Sequence, residues 1–216
     1  KTAYEIYQCD WSSDVCSSDL AVRRAIGDDI LFAVDANCAY DRGSAIAVGQ
    51  RLVENNLLWF EEPISSDDVE GYIEIRRALN VRISGAEQLR GHRAFRRFFQ
   101  ERALDIAQPD VCICGGFTEF KKIAAMASAN HVRVIPHMFG TAIRMAATLQ
   151  LLANLPDVPH SNVPFPALLE YDMSENALRT ELAKNPVTHK DGVVTIPQGP
   201  GLGLEVNREL LSKYAA

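Results

Sequence analysis

Short apolar runs alternate along this chain with longer segments whose apolar residues recur at helical spacing. The short runs read LFAVDAN, LLWFEEP, VRISGAEQ, LDIAQPD, VRVIPH and PALLEYD. The segments between them, such as SAIAVGQRLVENN and GGFTEFKKIAAMASANH, have the length and periodicity of amphipathic helices. Because strands and helices alternate and the strands are almost wholly apolar, the pattern predicts parallel βαβ units with both faces of the sheet covered.

An ionisable residue stands at the end of each predicted strand. These residues are Asp35, Glu61, Glu87, Asp110, His137 and Glu170, separated by 26, 26, 23, 27 and 33 residues. One strand–helix unit occupies about 30 residues in a barrel of eight such units, where the carboxyl ends of the strands converge on one mouth. An open sheet would spread these groups along a line, and no glycine fingerprint follows the first predicted strand. The spacing therefore predicts an α/β fold of the (β/α)8 barrel type.

The first three of these residues are carboxylates on consecutive strands. Asp35, Glu61 and Glu87 would repel one another in a cleft unless something compensates their charge. A divalent cation does so, and three hard oxygen ligands with room for water suit Mg²⁺. The alternative is that each carboxylate pairs with a lysine at the barrel rim. That alternative is the default for a single carboxylate, whereas three at regular spacing favour a metal site.

Asp110 and His137 end the next two strands. Neighbouring strands bring such side chains within hydrogen-bond reach, and the aspartate can then orient the imidazole and raise its basicity. This arrangement is typical of a general base. The alternative is a histidine whose ring is satisfied by a backbone carbonyl.

Composition excludes several classes of protein. The formal net charge is −6 and no basic stripe is present, so nothing favours a nucleic-acid partner. No apolar run approaches the roughly 18–20 residues of a membrane span, and KTAYEIYQ does not resemble a secretory signal. The five cysteines are odd in number and scattered, which argues against a disulfide framework. We therefore expect a cytoplasmic protein without membrane partners.

The motifs VDAN, WFEEP, SGAEQ, QPDVCICGG, VIPHMFGTAI and LLEYD, in this order, resemble the mandelate racemase and muconate lactonizing enzyme branch of the enolase superfamily. The resemblance runs from about Val22 to the end of the chain. It implies that Asp35, Glu61 and Glu87 bind Mg²⁺, with Glu62 supporting them from behind and Asn37 facing the substrate. GAE replaces the usual GGE at the third ligand, which adds one methyl group and should leave the ligand in place.

The same resemblance implies acid–base chemistry on a small-molecule carboxylate. His137, oriented by Asp110, would act as general base or acid, and a protonated Glu170 would donate to the substrate carboxylate. Removal of the proton alpha to the carboxylate gives an enediolate. Expulsion of a β-hydroxyl then yields a 2-keto-3-deoxy acid, and the tail LLEYDMSENALRTEL resembles the acid-sugar dehydratases. The full-length protein is expected to be a homo-oligomer.

Other functions stay open at this point. Return of the proton to the opposite face would make the enzyme a racemase or epimerase. A non-enzymatic α/β module with a structural metal would bind the ion without exchanging an alpha proton. A truncated and inactive fragment would do neither.

The stretch DWSSDVCSSDL, residues 10–20, differs from everything after it. One reverse translation of it is a common short-read sequencing adapter, so we interpret it as translated adapter; a disordered linker is the alternative. The family's Lys-x-Lys strand would be expected at this place. The sequence thus divides into a non-native segment 1–20, a partial barrel 21–189 of about six βα units without the N-terminal capping domain, and a tail 190–216 that would pack on that domain.

Overall fold

The computed structural model describes residues 5–8, 15–155 and 166–214. Its main feature is a sheet of six strands that lie side by side in chain order, every neighbouring pair parallel. The strands are β1 (Glu5–Gln8), β2 (Phe32–Asp35), β3 (Leu57–Glu61), β4 (Ile83–Gly85), β5 (Ile106–Ala107) and β6 (Arg133–Val134). This order, with a helix in each crossover, is the one that the alternating pattern predicts.

Helices connect the strands. They are α1 (Val15–Ile26), α2 (Arg42–Leu52), α3 (Val69–Ala78), α4 (Gly91–Gln100), α5 (Gly116–Ala129), α6 (Ala142–Leu152), α7 (Ala177–Thr180) and α8 (Arg208–Tyr214), with a 3-10 turn at Val53–Asn55. Several of them begin at a capping side chain; Asp41, Asp68, Thr141 and Asn176 accept from backbone N–H groups of the first turn. Gly115 and Gly116, both with positive φ, form the tight loop that CICGG predicts before α5.

Alternate residues of the strands face two different cores. Phe32, Phe60 and Ile83 belong to the large core under the helices. A smaller core holds the residues that face the inside of the sheet: Ala33, Trp59, Ile106, Ile135 and Leu168. Because side chains two residues apart along a strand share a face, the next inward positions are 35, 61, 108, 137 and 170. The small core therefore supports the polar groups at the carboxyl ends of the strands.

One strand prediction is wrong. PALLEYD, residues 166–172, runs without a regular ladder of backbone hydrogen bonds among the described residues. Two prolines work against such a ladder, because Pro136 lies two residues after β6 and Pro166 opens the predicted strand, and neither has an N–H to donate. The segment still places its side chains as the pattern requires, since Leu168 joins the small core.

The two end segments of the predicted division contain regular structure. Strand β1 and the first residues of α1 lie within residues 1–20, although residues 1–4 and 9–14 lie outside the described part of the chain. In the tail, β7 (His189–Lys190) and β8 (Val193–Val194) form an antiparallel pair. Leu210 of α8 packs with Ala142 of α6. The tail thus packs on the outer helix α6, while its contact with a capping domain and the adapter origin of residues 10–20 stay predictions.

The described residues include no helix that is both long enough and apolar enough to cross a membrane. GPGLGLE, residues 199–205, forms a turn in which Gly199, Gly201 and Gly203 all have positive φ. This is the turn that its position after VVTIP predicts.

Candidate active site

The site lies where the parallel strands end, and neighbouring strands bring its side chains together. Asp35 of β2 is the register partner of Glu61 of β3. Glu87 follows β4 by two residues, Asp110 follows β5 by three, and His137 follows β6 by three. All the residues that the spacing singled out therefore stand at the same end of the sheet, as a barrel mouth requires.

The three predicted metal ligands are carboxylates with raised pKa values; Glu61 is buried, while Asp35 and Glu87 are partly buried. Burial raises the pKa of Asp35 to about 6, and the charges of Glu62 and Glu170 add to this rise against a hydrogen bond from the Asn37 backbone. Burial and the charge of Asp35 raise the pKa of Glu61 well above its usual range. Burial also raises the pKa of Glu87 to about 7, with His137 opposing the rise. Each group thus carries an ionisation penalty that nearby protein cations do not remove.

Each of these carboxylates has a partner within the protein. Asn37 donates to both oxygens of Asp35, from its backbone N at 2.8 Å and from its side-chain amide at 3.1 Å. Trp59 Nε1 donates to Glu61 Oε2 at 2.8 Å. Asn37, which the resemblance placed toward the substrate, therefore binds the predicted metal ligand beside it.

The donor set fits Mg²⁺ in its chemistry. Carboxylates offer the hard, negatively charged oxygen ligands that such an ion prefers. Within the described ranges, however, no three His, Cys, Asp or Glu side chains stand in an arrangement that would hold an ion. Asp35 and Glu61 instead accept hydrogen bonds from Asn37 and Trp59. The ligand roles of the three residues stay predictions.

His137 and Asp110 form the pair that the sequence predicts. His137 Nδ1 lies 2.6 Å from Asp110 Oδ2, and Asp110 is completely buried. The other ring nitrogen, Nε2, lies 3.4 Å from Glu87 Oε2 and 4.0 Å from Glu170 Oε2. Burial lowers the pKa of His137, but the hydrogen bond with Asp110 and the charges of Glu170 and Glu87 outweigh it, so that the pKa is raised above its usual value. Nε2 is therefore the ring atom that faces the mouth.

Glu170 and Glu62 occupy different environments. Glu170 Oε2 accepts from the backbone N of Met138 at 2.9 Å, and burial raises the pKa of this carboxyl above its usual value. Glu62 is almost fully buried beside Glu61. Its Oε2 accepts from Cys38 Sγ at 3.2 Å, while its Oε1 is buried and has no hydrogen-bond partner among the described residues. The supporting role that the resemblance implies for Glu62 stays a prediction.

The backbone is strained around the predicted ligands. Asn37, Cys38, Glu62 and Ala86 all have positive φ, between 36° and 74°, which disfavours residues with a Cβ. Ala86 stands where the resemblance expects glycine, and its φ of 74° shows why glycine would be easier there. Strain of this kind persists where the surrounding structure fixes a functional geometry.

Sequence reasoning missed two residues that contact the site. Trp59 lies two residues before Glu61 on the same strand, so the period of two could have placed both on one face. Arg144 donates from Nη2 to Asp110 Oδ1 at 2.8 Å, from the first turn of α6. No local signal marks Arg144, because its partner lies 34 residues earlier in the chain.

A family comparison agrees with this architecture: residues 14–210 match the model described as "Enolase C-terminal domain-like". The chain belongs to this family. The match covers the six site residues at the strand ends and confirms the resemblance to the enolase superfamily.

Two curated relatives extend the comparison. The chain is 38% identical over 194 residues to D-galactarolactone cycloisomerase of Agrobacterium fabrum, covering 90% of this chain and 51% of that protein. It is 31% identical over 194 residues to arabinonate dehydratase of Saccharolobus solfataricus, covering 90% of this chain and 50% of the relative. The chain therefore spans about half the length of these family members.

Solved structures confirm the fold class. The 3,6-anhydro-D-galactonate cycloisomerase from Zobellia galactanivorans superimposes with a TM-score of 0.88 at 35% identity, covering 97% of this chain and 57% of that one. The L-talarate dehydratase from Polaromonas sp. JS666, complexed with Mg and L-glucarate, superimposes with a TM-score of 0.81 at 25% identity, covering 98% and 55%. The chain therefore has an α/β barrel-type fold with a parallel sheet, which matches somewhat more than half of each of these structures.

Proposed function

We propose that this chain is the catalytic barrel region of a Mg²⁺-dependent enzyme that removes the proton alpha to the carboxylate of an acid sugar. The observation that carries the proposal is the position of His137. Its Nδ1 is held by the buried Asp110, and its Nε2 faces the carboxylates of Glu87 and Glu170. The names of the relatives support acid sugars as the substrate class, since they include both dehydratases and cycloisomerases.

Asp35, Glu61 and Glu87 would hold the metal ion. When bound, Mg²⁺ supplies positive charge that stabilises the negative charge developing on the substrate carboxylate. Neighbouring residues would orient the ligands of the ion by hydrogen bonds. Asn37 donates to Asp35, and Trp59 donates to one oxygen of Glu61. Ion binding would also relieve the ionisation penalty that the raised pKa values of these carboxylates express.

His137 and Glu170 would carry the proton chemistry. Because Nδ1 bonds to Asp110, the alpha proton moves to Nε2, leaving an enediolate on the substrate. A protonated Glu170, favoured by its raised pKa, donates to a carboxylate oxygen of that enediolate. The proton on Nε2 then passes to the β-hydroxyl, the C–O bond breaks and water leaves. The resulting enol ketonises to a 2-keto-3-deoxy acid.

Cycloisomerisation is the second candidate. Two of the relatives with high similarity are named cycloisomerases of sugar lactones or anhydro sugars. The first step would be the same, but the leaving group would be a ring oxygen that stays attached to the product. The product would then be an isomer of the substrate, with no loss of water.

Isotope exchange tests the proposal. The protein is incubated in D2O with Mg²⁺ and a panel of aldonates, aldarates and their lactones, and alpha-proton loss is followed by NMR. We expect exchange or elimination in the wild type and a loss of at least about 100-fold in His137→Gln, since general acid–base catalysis is worth about 10²–10⁴-fold.

His92→Gln is the matched control. His92 makes a comparable 2.6 Å contact with Glu119, but this pair lies on α4 and α5 outside the site. Its replacement should leave the rate unchanged. Mg²⁺ binding without exchange on any substrate would contradict the proposal and favour a metal-binding module. Exchange with inversion at the alpha carbon and no elimination would instead indicate a racemase or epimerase.

A further inference from the structure

The buried carboxylate of Asp110 accepts hydrogen bonds on both of its oxygens. Oδ2 accepts from His137 Nδ1, while Oδ1 accepts from Arg144 Nη2 at 2.8 Å and from the backbone N of Cys112 at 2.7 Å. Arg144 thus binds the oxygen that the histidine leaves free. A carboxylate whose two oxygens are both occupied by directional donors cannot rotate about its Cβ–Cγ bond without losing one of them.

Arg144 also binds the loop that carries His137. Its Nη1 donates to the carbonyl oxygen of Phe139, two residues beyond His137. Gly140, with a φ of 142°, leaves room for this contact, because a Cβ there would lie 3.3 Å from Nη1. One planar guanidinium therefore joins the end of β5 to the loop after β6.

The backbone and the side chain of Arg144 are themselves held in place. Its backbone N is capped by the Oγ1 of Thr141 at 3.3 Å in the first turn of α6. Only 19% of its side chain is exposed. The charge of Arg144 also helps to keep the pKa of Asp110 below its usual value, together with the hydrogen bond from His137 and against burial.

From this geometry we infer that Arg144 is a positioning residue, which sets the direction of His137 Nε2 by holding Asp110 and the Phe139 carbonyl at the same time. The catalytic consequence rests on the proposed function, whereas the geometric claim does not. The guanidinium acts through Asp110 and need not touch the substrate. A lysine could replace the charge, but a single ammonium lacks the planar fork that spans both acceptors.

The His137 Nδ1–H proton gives a direct readout by NMR on protein labelled with ¹⁵N-histidine, with His137→Gln used for assignment. A short hydrogen bond to a carboxylate moves such a proton downfield and protects it from exchange. In Arg144→Met we expect this signal to broaden or shift upfield, and in Arg144→Lys to recover in part. Arg97→Met is the matched control, because Arg97 also bonds two acceptors, the carboxylates of Glu70 and Glu101, but at the exposed surface.

Kinetics give the second readout. If the wild type exchanges alpha protons, Arg144→Met should lower kcat by about 10- to 100-fold with little change in KM, the range typical of residues that orient a catalytic group. A wild type without exchange would refute the proposed function and leave the NMR result to decide on Arg144.

A wild-type His137 signal in folded Arg144→Met would overturn the inference, even if the melting temperature fell. Should that variant fail to unfold cooperatively, Arg144→Gln decides in its place, since its shorter neutral side chain cannot span both acceptors. An unchanged signal there would overturn the inference equally.

Discussion

The raised pKa values of the site carboxylates predict that the metal-free protein loses stability as the pH rises from 5 to 8. The perturbation is a change of pH in the presence of a chelator. Asp35 has a pKa of about 6 in the folded chain against an ordinary value of 3.8, and Glu87 has a pKa of about 7 against 4.5. At a pH between the ordinary and the folded-state pKa of each group, the folded protein binds more protons than the unfolded chain. The free energy of unfolding therefore falls as the pH rises.

The loss of unfolding free energy between pH 5 and pH 8 is set by how far each folded-state pKa lies above 5. This loss is about 1 kcal/mol for Asp35 and about 3 kcal/mol for Glu87. The raised pKa of His137 acts in the same direction, because the folded state holds that proton more tightly. Glu119 does not oppose the effect in this range, since its pKa of about 2 places its titration below pH 5.

The assay is urea unfolding at pH 5 and at pH 8, with EDTA and then with Mg²⁺. In EDTA, Glu87 alone should lower the unfolding midpoint by about 1 M or more at pH 8, given a slope of about 2 kcal/mol/M. Mg²⁺ at about 100 times its Kd should restore about 2.7 kcal/mol at pH 8 and much less at pH 5, where protons compete for the ligands. The double variant Asp35→Asn, Glu87→Gln should flatten the pH dependence. Equal or greater stability of the metal-free wild type at pH 8 would refute the reasoning.

Three further substitutions test the local geometry. Gly85→Ala should destabilise the fold by about 2–3 kcal/mol in urea unfolding, because a Cβ at this φ of 146° would meet the Tyr72 hydroxyl at 2.9 Å. Ala86→Gly should raise the free energy of unfolding by up to about 1 kcal/mol, since it relieves a left-handed backbone at φ 74°. Trp59→Phe should weaken Mg²⁺ binding about 10- to 100-fold in calorimetry, because it removes the 2.8 Å hydrogen bond that restricts Glu61.

Each of these has a control or a contrary result. Gly27→Ala, where a Cβ meets nothing within 4 Å, should cost only the backbone strain of its φ of 76°. Equal losses at Gly85 and Gly27 would show that crowding contributes nothing. A less stable Ala86→Gly protein would mean that the Ala86 methyl group, buried in the large core, contributes more by packing than the backbone strain costs. Unchanged Mg²⁺ affinity in Trp59→Phe would show that Glu61 needs no fixed donor.

The sequence by itself determined the order of strands and helices and the end of the sheet at which the polar groups stand. Hydrophobic periodicity is local, and a parallel βαβ repeat leaves little freedom in how neighbouring strands are placed. The pairing of His137 with Asp110 could be predicted for the same reason, since the two residues follow two adjacent strands. The family resemblance then supplied roles that periodicity does not contain.

Only the tertiary structure decided which donors hold each of these groups. Arg144 reaches Asp110 across 34 residues, and Cys38 reaches Glu62 across 24. It also decided that residues 166–172 run without a regular ladder while Glu170 still contacts Met138. These outcomes depend on side-chain hydrogen bonds and packing between segments that are distant in the chain. Such contacts exist only once the sheet has brought those segments together, so local sequence patterns do not reveal them.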